Sequence, residues 1–403
     1  MKQSEKIDLV ILAGGKGSRI ANYTKNLPKP LIKFNQIHFI NYLINFYSKY
    51  NFRKIYILTG YLGKKFDKFN GKSFNLIPTE CIKEKNKLDT GGALYQLKDK
   101  IKNKFLVING DSFLNFNVNA FIKNSYLNEN VCKILLVKNN NYKSNNKLSN
   151  LKLNRNNKVT KNGNLMNAGV YLFDKRIFNY LKLQKISLEN QIFPKLIENR
   201  LVNGFFSNNN FLDIGTYANL KKTKIFLKKN SNQYSVFLDR DGVINVDKKY
   251  VYKIKDFSFR KNVISTLKFL NRKKINIFII TNQAGIAKGY YTEKQFLKLS
   301  NFIKKYLINK NIFINDIQYC PFHPSAKIKK YCRNSNFRKP GNLMIKKIIK
   351  NWGIKSSKSF MIGDSTSDEI AAKKSSIYFE YVEKDILKQV KKIIKKLKFN
   401  NYS

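Results

Sequence analysis

Short apolar runs rich in β-branched and aromatic residues recur along the chain, separated by longer stretches with helical spacing. From Asp8 the order is "LVILAGG", "FINYLINFYSKY" and "KIYILTGY", and further on "KFLVINGDS" and "NAGVYLF". That rhythm predicts βαβ units on a mainly parallel sheet. The Asn-rich stretch from Asn139 to Asn164 breaks it and reads as loops and edge strands of the same unit. At "KKTKIFLKKNSNQYS", residues 221–235, the apolar pattern lapses into Lys, Asn and Ser, so a linker is expected over 226–233. A second series then begins, "YSVFLD", "INIFIITNQ", "INDIQYC", "KSFMIGDS" and "IYFEYV", with helical text such as "NLMIKKIIKNW" between the runs. The two series share rhythm but no motif, which excludes an internal repeat. The fold class expected is α/β, with two doubly wound domains at 1–225 and 234–403.

Length and composition agree with this division. A chain of 403 residues exceeds one comfortable core, and 43% apolar residues supply ample material to bury. The formal net charge of +53, from 78 Lys and Arg against 25 Asp and Glu, invites a nucleic-acid reading. Lysine is spread through every segment beside Asn, Ile, Phe and Tyr, however, as a genome-wide codon bias would leave it, and no zinc-finger, ribonucleoprotein or helix-turn-helix pattern is present. Nucleic acid is therefore not an expected partner, although a positive field helps to gather phosphorylated substrates. The first residues carry no apolar core before Asp8, and no run approaches about 18 apolar residues, so neither export nor membrane insertion is expected. Four scattered cysteines, Cys81, Cys132, Cys320 and Cys332, form no disulfide framework and fit a cytoplasmic location.

The first chemistry lies in "LAGGKGSR", residues 12–19. Gly14, Gly15 and Gly17 let the backbone approach an anion closely, while Lys16 and Arg19 supply charge for phosphates. A lone Gly-rich turn can be a mere tight connection. Here "NGDS" ends an apolar run with Asp111, and "FLDIGT" supplies Asp213. Two carboxylates at strand ends can hold Mg²⁺ together with triphosphate oxygens. With "LPKPLIKF", "LDTGGAL" and "NAGVY" in order, residues 6–225 resemble the nucleoside-diphosphate-sugar pyrophosphorylases, a Rossmann-like nucleotidyltransferase family, and within it the branch handling D-glycero-D-manno-heptose 1-phosphate. The resemblance implies that the glycines, Gly91 and Arg19 wrap the nucleotide and that Lys29 neutralises the α-phosphate. It also implies that Asp111 and Asp213 bind Mg²⁺, and that Asn167 and Gly169 line the sugar side.

The second chemistry opens at "VFLDRDGVIN". Residues two apart in a strand share a side, so Asp239 and Asp241 are expected to face one pocket. Thr281 ends "IITN", Arg338 and Lys339 stand together in "RKP", and "MIGDSTSD" carries Asp364 and Asp368. A hydroxyl, a cation and further carboxylates are what phosphoryl transfer through an aspartyl-phosphate requires. Residues 234 to about 390 resemble the cap-less haloacid dehalogenase-like phosphatases, above all those acting on D-glycero-D-manno-heptose 1,7-bisphosphate, with histidinol phosphatases as near cousins. The resemblance implies Asp239 as nucleophile, Asp241 as acid and base, and Asp239, Asp241 and Asp364 around Mg²⁺. Thr281 and Lys339 would hold the phosphoryl group, Asn282 and Arg338 would contact substrate, and Asp368 would stand behind them. Relatives often carry a structural zinc before "RKP". Phe322, Ser335 and Phe337 stand here where its pattern needs other residues, so Cys320, His323 and Cys332 form a degraded set and a zinc-free loop is the expectation.

Together the two halves imply consecutive steps. The phosphatase half would take the 7-phosphate from a heptose 1,7-bisphosphate, and the other half would couple the heptose 1-phosphate to a nucleotide from GTP or another nucleoside triphosphate. A mannose 1-phosphate guanylyltransferase joined to a histidinol-phosphate-like or other small-molecule phosphatase is the alternative. Sequence leaves the oligomeric state open.

Overall fold

A computed structural model of the chain describes residues 6–123, 129–139, 149–231 and 234–399. The first unit is built on a sheet whose strands run in the order Val202–Phe206, Cys132–Lys138, Val159–Phe173, Phe105–Asn109, Asp8–Leu12, Ile55–Thr59, Ile77–Lys83 and Ser73–Phe74. The run "LVI" is buried on both faces, as a central parallel strand requires, and pairs parallel with both neighbours. The sheet is mixed rather than mainly parallel: Val159–Phe173 runs antiparallel to Phe105–Asn109 and to Cys132–Lys138. Of the Asn-rich stretch, residues 140–148 lie outside the described residues, and Ser149–Leu153 pairs with the long strand as a short flanking strand. Helices pack on both faces, around one core containing Leu9, Ile11 and Phe39 and another containing Val10, Phe105 and Tyr171.

The helix Tyr217–Ser231 ends this unit and corrects the expected linker. Most of 226–233 is helical, and Leu227 is buried in the first core. The lapse in the apolar pattern reflects a surface helix with one narrow buried stripe, whose polar face dominates the text.

The second unit is a five-stranded parallel sheet in the order Asp316–Cys320, Asn276–Asn282, Ser235–Leu238, Ser359–Gly363 and Tyr378–Tyr381. These are the five runs read from the sequence. Strand order reverses beside Ser235–Leu238, and ligand crevices in open α/β sheets form outside the carboxyl ends of the strands at such a point.

A hairpin of the first unit enters the second. It turns at Asn75 and Leu76, both left-handed with φ of 46° and 65°. Leu76 packs on the second unit's core, and the Asn75 N–H donates to Asp316 Oδ1 at 2.9 Å. The Asn75 amide donates to the Ser48 and Ile314 carbonyls at 3.0 and 2.9 Å. Lys304, fully enclosed, closes the junction by donating to the Ser48 and Asn75 carbonyls at 2.6 and 3.2 Å. Burial, with Lys6 nearby, pulls the Lys304 ammonium down to about 7. Asn75→Ala removes two amide bonds from a left-handed, buried position and leaves the Ile314 carbonyl unpaired. It is expected to cost about 2 to 4 kcal/mol in chemical denaturation, with both activities preserved below the transition.

Two candidate active sites

The first site is a cleft of about 790 Å³ at the carboxyl ends of Asp8–Leu12, Ile55–Thr59 and Phe105–Asn109. The loop after "LVIL" forms one wall, and Gly14, Gly15, Lys16 and Gly17 all line it. Gly17 is left-handed with φ 67°. A Cβ on Gly14 would stand 2.6 Å from Glu84 Oε1, so a side chain there would have to displace the Glu84 carboxylate. Lys29 enters from a short helical turn in "LPKPL" and pairs with Asp111, Nζ to Oδ2 at 2.7 Å. Desolvation opposes the charge on Asp111, but Lys29, Ser112 and Arg19 outweigh it and hold the carboxyl below its usual range. Asp213 behaves oppositely: burial, then the charge of Asp111, raise it. The two meet because Phe211–Asp213 pairs with Ser112–Leu114 and the Ile214 N–H donates to the Asp111 carbonyl.

Other residues read from the sequence support the cleft rather than line it. Gly91 packs its helix against Ile186, to whose carbonyl it donates at 2.7 Å, while Asp89 and Thr90 face the cleft. Asn167 accepts from the Gly169 N–H at 2.8 Å and donates to the Tyr171 hydroxyl at 2.7 Å. Gly169, with φ 69°, lets Asn109 approach where a Cβ would stand 2.8 Å from the Asn109 amide. Arg19 reaches the turn after Asp213, where a Cβ on Gly215 would stand 3.3 Å from its Nη2. Glu84 lines the cleft without any motif to mark it; burial and Asp89 raise its carboxyl despite a bond from the Leu88 N–H.

The second site lies at the carboxyl ends of Ser235–Leu238, Asn276–Asn282 and Ser359–Gly363. Oxygens of Asp239, Asp364 and Asp368 come within 4.8 Å of one another, the group of three carboxylates among the described residues that fits a divalent cation. An all-oxygen donor set suits a hard ion such as Mg²⁺. Lys339, 3% exposed, stands against two of the three, 2.8 Å from Asp239 Oδ1 and 2.5 Å from Asp368 Oδ1. Burial lowers the affinity of Lys339 for its proton, but these carboxylates outweigh it and raise the ammonium above its ordinary value. Desolvation pushes Asp239 up to about 7, against the opposing pull of Lys339, and burial also raises Asp364. One cation for three close acids leaves a local excess of negative charge, and a divalent ion would relieve it.

The sequence sets Asp368 behind the ligands, and the structure brings one of its oxygens into the three-carboxylate group. It caps its own helix through Ser365, and that capping turn directs its carboxylate to the strand end. Asp241 differs in the other direction. The strand ends at Leu238, so alternation no longer applies beyond it, and the Asp241 carboxylate is not part of the three-carboxylate group. It accepts instead from Arg240 Nη2 at 2.8 Å, from Asn245 at 3.0 Å and from Gln283 at 3.0 Å. Arg240, buried between the two acids, is held further by the Val251 carbonyl and the face of Phe296. Asn282 is spent on backbone: its amide donates to the Lys339 carbonyl and accepts from the Lys339 N–H, both at 3.0 Å. It thus positions the "RKP" turn, whose Arg338 has a buried Nη1 and a guanidinium acidified by burial.

Gly242 seals this arrangement. At φ 79°, its Cβ position lies 1.9 Å from Asp364 Oδ2. Gly242→Ala must displace that carboxylate, and a displacement near 1 Å is expected to lower phosphatase turnover by about 10²-fold with nucleotidyl transfer unchanged, measured by phosphate release and pyrophosphate release on one preparation.

Cys320, His323 and Cys332 do not gather into a metal-sized group among the described residues. Cys320 is buried, Cys332 lies against the Pro324 carbonyl, and the His323 ring accepts from the Ser325 N–H. The Arg333 guanidinium covers the ring of Phe322 at 3.6 Å and stiffens the loop there.

Residues 9–230 match the nucleotidyl transferase family, and residues 236–399 match the polynucleotide kinase 3 phosphatase family. A D-glycero-beta-D-manno-heptose-1,7-bisphosphate 7-phosphatase of Pasteurella multocida is 38% identical over 143 residues, which span 36% of this chain and 77% of that protein. A D-glycero-alpha-D-manno-heptose-1,7-bisphosphate 7-phosphatase of Photorhabdus laumondii is 40% identical over 35% of this chain and 77% of its own. Among solved structures, HddC from Yersinia pseudotuberculosis aligns with 55% of this chain and 99% of its own at 24% identity and a TM-score of 0.46. No described helix is long and apolar enough to cross a membrane. The chain belongs to the nucleotidyl transferase family through residues 9–230, and through residues 236–399 to the haloacid dehalogenase-like phosphatases that include these heptose-bisphosphate enzymes.

Proposed function

We propose that this chain carries out two consecutive steps of nucleotide-sugar synthesis. Its phosphatase unit, from residue 234, removes the 7-phosphate of D-glycero-D-manno-heptose 1,7-bisphosphate, and its nucleotidyl transferase unit, which ends with the helix Tyr217–Ser231, then transfers GMP from GTP to the heptose 1-phosphate. The observation that carries this reading is the Asp239, Lys339, Asp364 and Asp368 cluster, in a domain whose curated relatives are heptose-bisphosphate 7-phosphatases. The product of that reaction is a sugar 1-phosphate, the class of acceptor that the other domain's family takes.

In the phosphatase half, an Asp239 oxygen attacks the phosphorus at C7. The bond from phosphorus to the sugar oxygen breaks, and Asp241 gives that oxygen its proton. Water then attacks the aspartyl-phosphate, Asp241 takes a proton from it, and inorganic phosphate leaves with Asp239 restored. Thr281 and Lys339 hold the phosphoryl oxygens throughout, and Arg338 contacts the substrate. Mg²⁺ held by Asp239, Asp364 and Asp368 would offset phosphoryl charge and orient the group.

In the other half, an oxygen of the sugar 1-phosphate attacks the α-phosphorus in line while pyrophosphate departs. The glycine loop binds the nucleotide, Arg19 steadies the turn after Asp213 beside it, and Lys29 offsets charge on the α-phosphate. Asp111 and Asp213 are the residues that would hold Mg²⁺. Positioning and charge neutralisation supply the acceleration, with no covalent intermediate.

A substrate panel tests the reading: both anomers of heptose 1,7-bisphosphate, histidinol phosphate and mannose 1-phosphate. The curated relatives include both anomeric specificities at similar identity, so the panel also assigns the anomer. Selective hydrolysis of histidinol phosphate, with nucleotidyl transfer to mannose 1-phosphate alone, would overturn it.

A further inference from the structure

Gln283 lies two residues beyond Thr281 and is 1% exposed. Its backbone N–H is fixed on the Cys320 carbonyl at 2.8 Å. Its side-chain Nε2 donates to Asp241 Oδ2 at 3.0 Å and to Thr281 Oγ1 at 2.9 Å, which uses both amide hydrogens. Its Oε1 accepts from the Tyr291 hydroxyl at 2.6 Å. Tyr291 is itself buried, stacked on Tyr252 at 4.9 Å and packed over Gly285, where no Cβ would fit. The amide therefore has one orientation: turned over, it would present oxygen to a carboxylate and NH₂ to a phenol hydrogen.

We propose that Gln283, oriented by Tyr291, is a positioning residue of the phosphatase site that ties the leaving-group acid Asp241 to the phosphoryl ligand Thr281. This rests on the roles assigned to those two residues above. Two consequences follow from the donor polarity. Thr281 accepts from Gln283, so its own hydroxyl hydrogen remains for a phosphoryl oxygen. Arg240 holds both oxygens of Asp241 and Asn245 holds Oδ1, while Gln283 adds a second residue's hydrogen bond to Oδ2, from the side of Thr281. Without it, Oδ2 would answer to Arg240 alone, and nothing would tie it to Thr281. Gln283 alone among these donors touches both functional groups.

The test compares leaving groups. An alkyl phosphate such as heptose 1,7-bisphosphate needs its leaving oxygen protonated, whereas p-nitrophenyl phosphate does not, and kcat/KM reports the step that forms the aspartyl-phosphate. Gln283→Glu, which reverses the donor polarity, is expected to lower kcat/KM about 10²-fold for the alkyl ester and about 10-fold for the aryl ester, within the range of general-acid contributions. Tyr291→Phe, which frees the amide to turn, is expected to shift the alkyl-to-aryl ratio in the same direction by several-fold, and it carries the test alone if Gln283→Glu does not fold. Equal losses on both esters, or an unchanged ratio in Tyr291→Phe, would overturn the proposal. Failure of the underlying reading shows separately, as full activity in Asp239→Asn.

Discussion

Asp239→Asn is expected to lower phosphate release from heptose 1,7-bisphosphate by at least about 10⁴-fold, the scale on which loss of a covalent nucleophile is felt. Asparagine matches aspartate in shape, so the strand end at Leu238 and the turn closed by Gly242 should persist. What disappears is the attacking oxygen and one of the two carboxylates that balance Lys339, 2.8 Å away. Asp368 remains at 2.5 Å to satisfy that ammonium, so the variant should fold. Nucleotidyl transfer belongs to a cleft on the other sheet and should stay within about two-fold of wild type, as distant sites act independently. The two activities are read on one preparation, by inorganic phosphate from the bisphosphate and by pyrophosphate from GTP with heptose 1-phosphate. Persistent phosphate release would remove Asp239 from the nucleophile's role.

The converse variant is Asp111→Asn, expected to reduce pyrophosphate release about 10³-fold while phosphate release is retained, a loss of the size seen when one electrostatic partner of a transition state is removed. Asp111 pairs with Lys29 at 2.7 Å and raises the proton affinity of Asp213 through its charge. On the proposed mechanism, its removal takes away one of the two carboxylates that would hold Mg²⁺ and releases Lys29 from the pair that fixes it in the cleft. Full pyrophosphate release in this variant would move the chemistry away from these strand ends. With Asp239→Asn, the pair separates the two sites within one chain.

The β-series was legible because burial leaves a direct mark: "LVI", "SVFL" and "SFMIG" are buried on both faces, and such runs have few alternatives. The carboxylates at their ends were legible for the same reason, since an acid directly after an apolar run stands at a strand's edge. Asp368 was harder, because its place depends on a capping turn; "STSD" carries that signal, a Ser three residues before an acid. Alternation is a weaker guide to the Asp241 side chain, because it holds only while the strand continues, and the chain turns after Leu238. The long strand Val159–Phe173 hid behind Asn and Gly in "VTKNGNLMNAGVYLF", residues that depress strand propensity while tertiary pairing overrides it. Gln283 could not be read at all. Its role needs the hydroxyl of Tyr291, brought back by the short helix Ala284–Ala287 and the turn after it, and no spacing rule announces that return.

The central claim, consecutive reactions in one chain, is tested most directly by phosphorus NMR of the purified protein with Mg²⁺, D-glycero-D-manno-heptose 1,7-bisphosphate and GTP, repeated with ATP. The expected record is loss of the 7-phosphate signal to inorganic phosphate, followed by pyrophosphate and a nucleoside-diphosphate heptose in the GTP sample. An unchanged bisphosphate, with pyrophosphate formed only when mannose 1-phosphate is supplied, would contradict it.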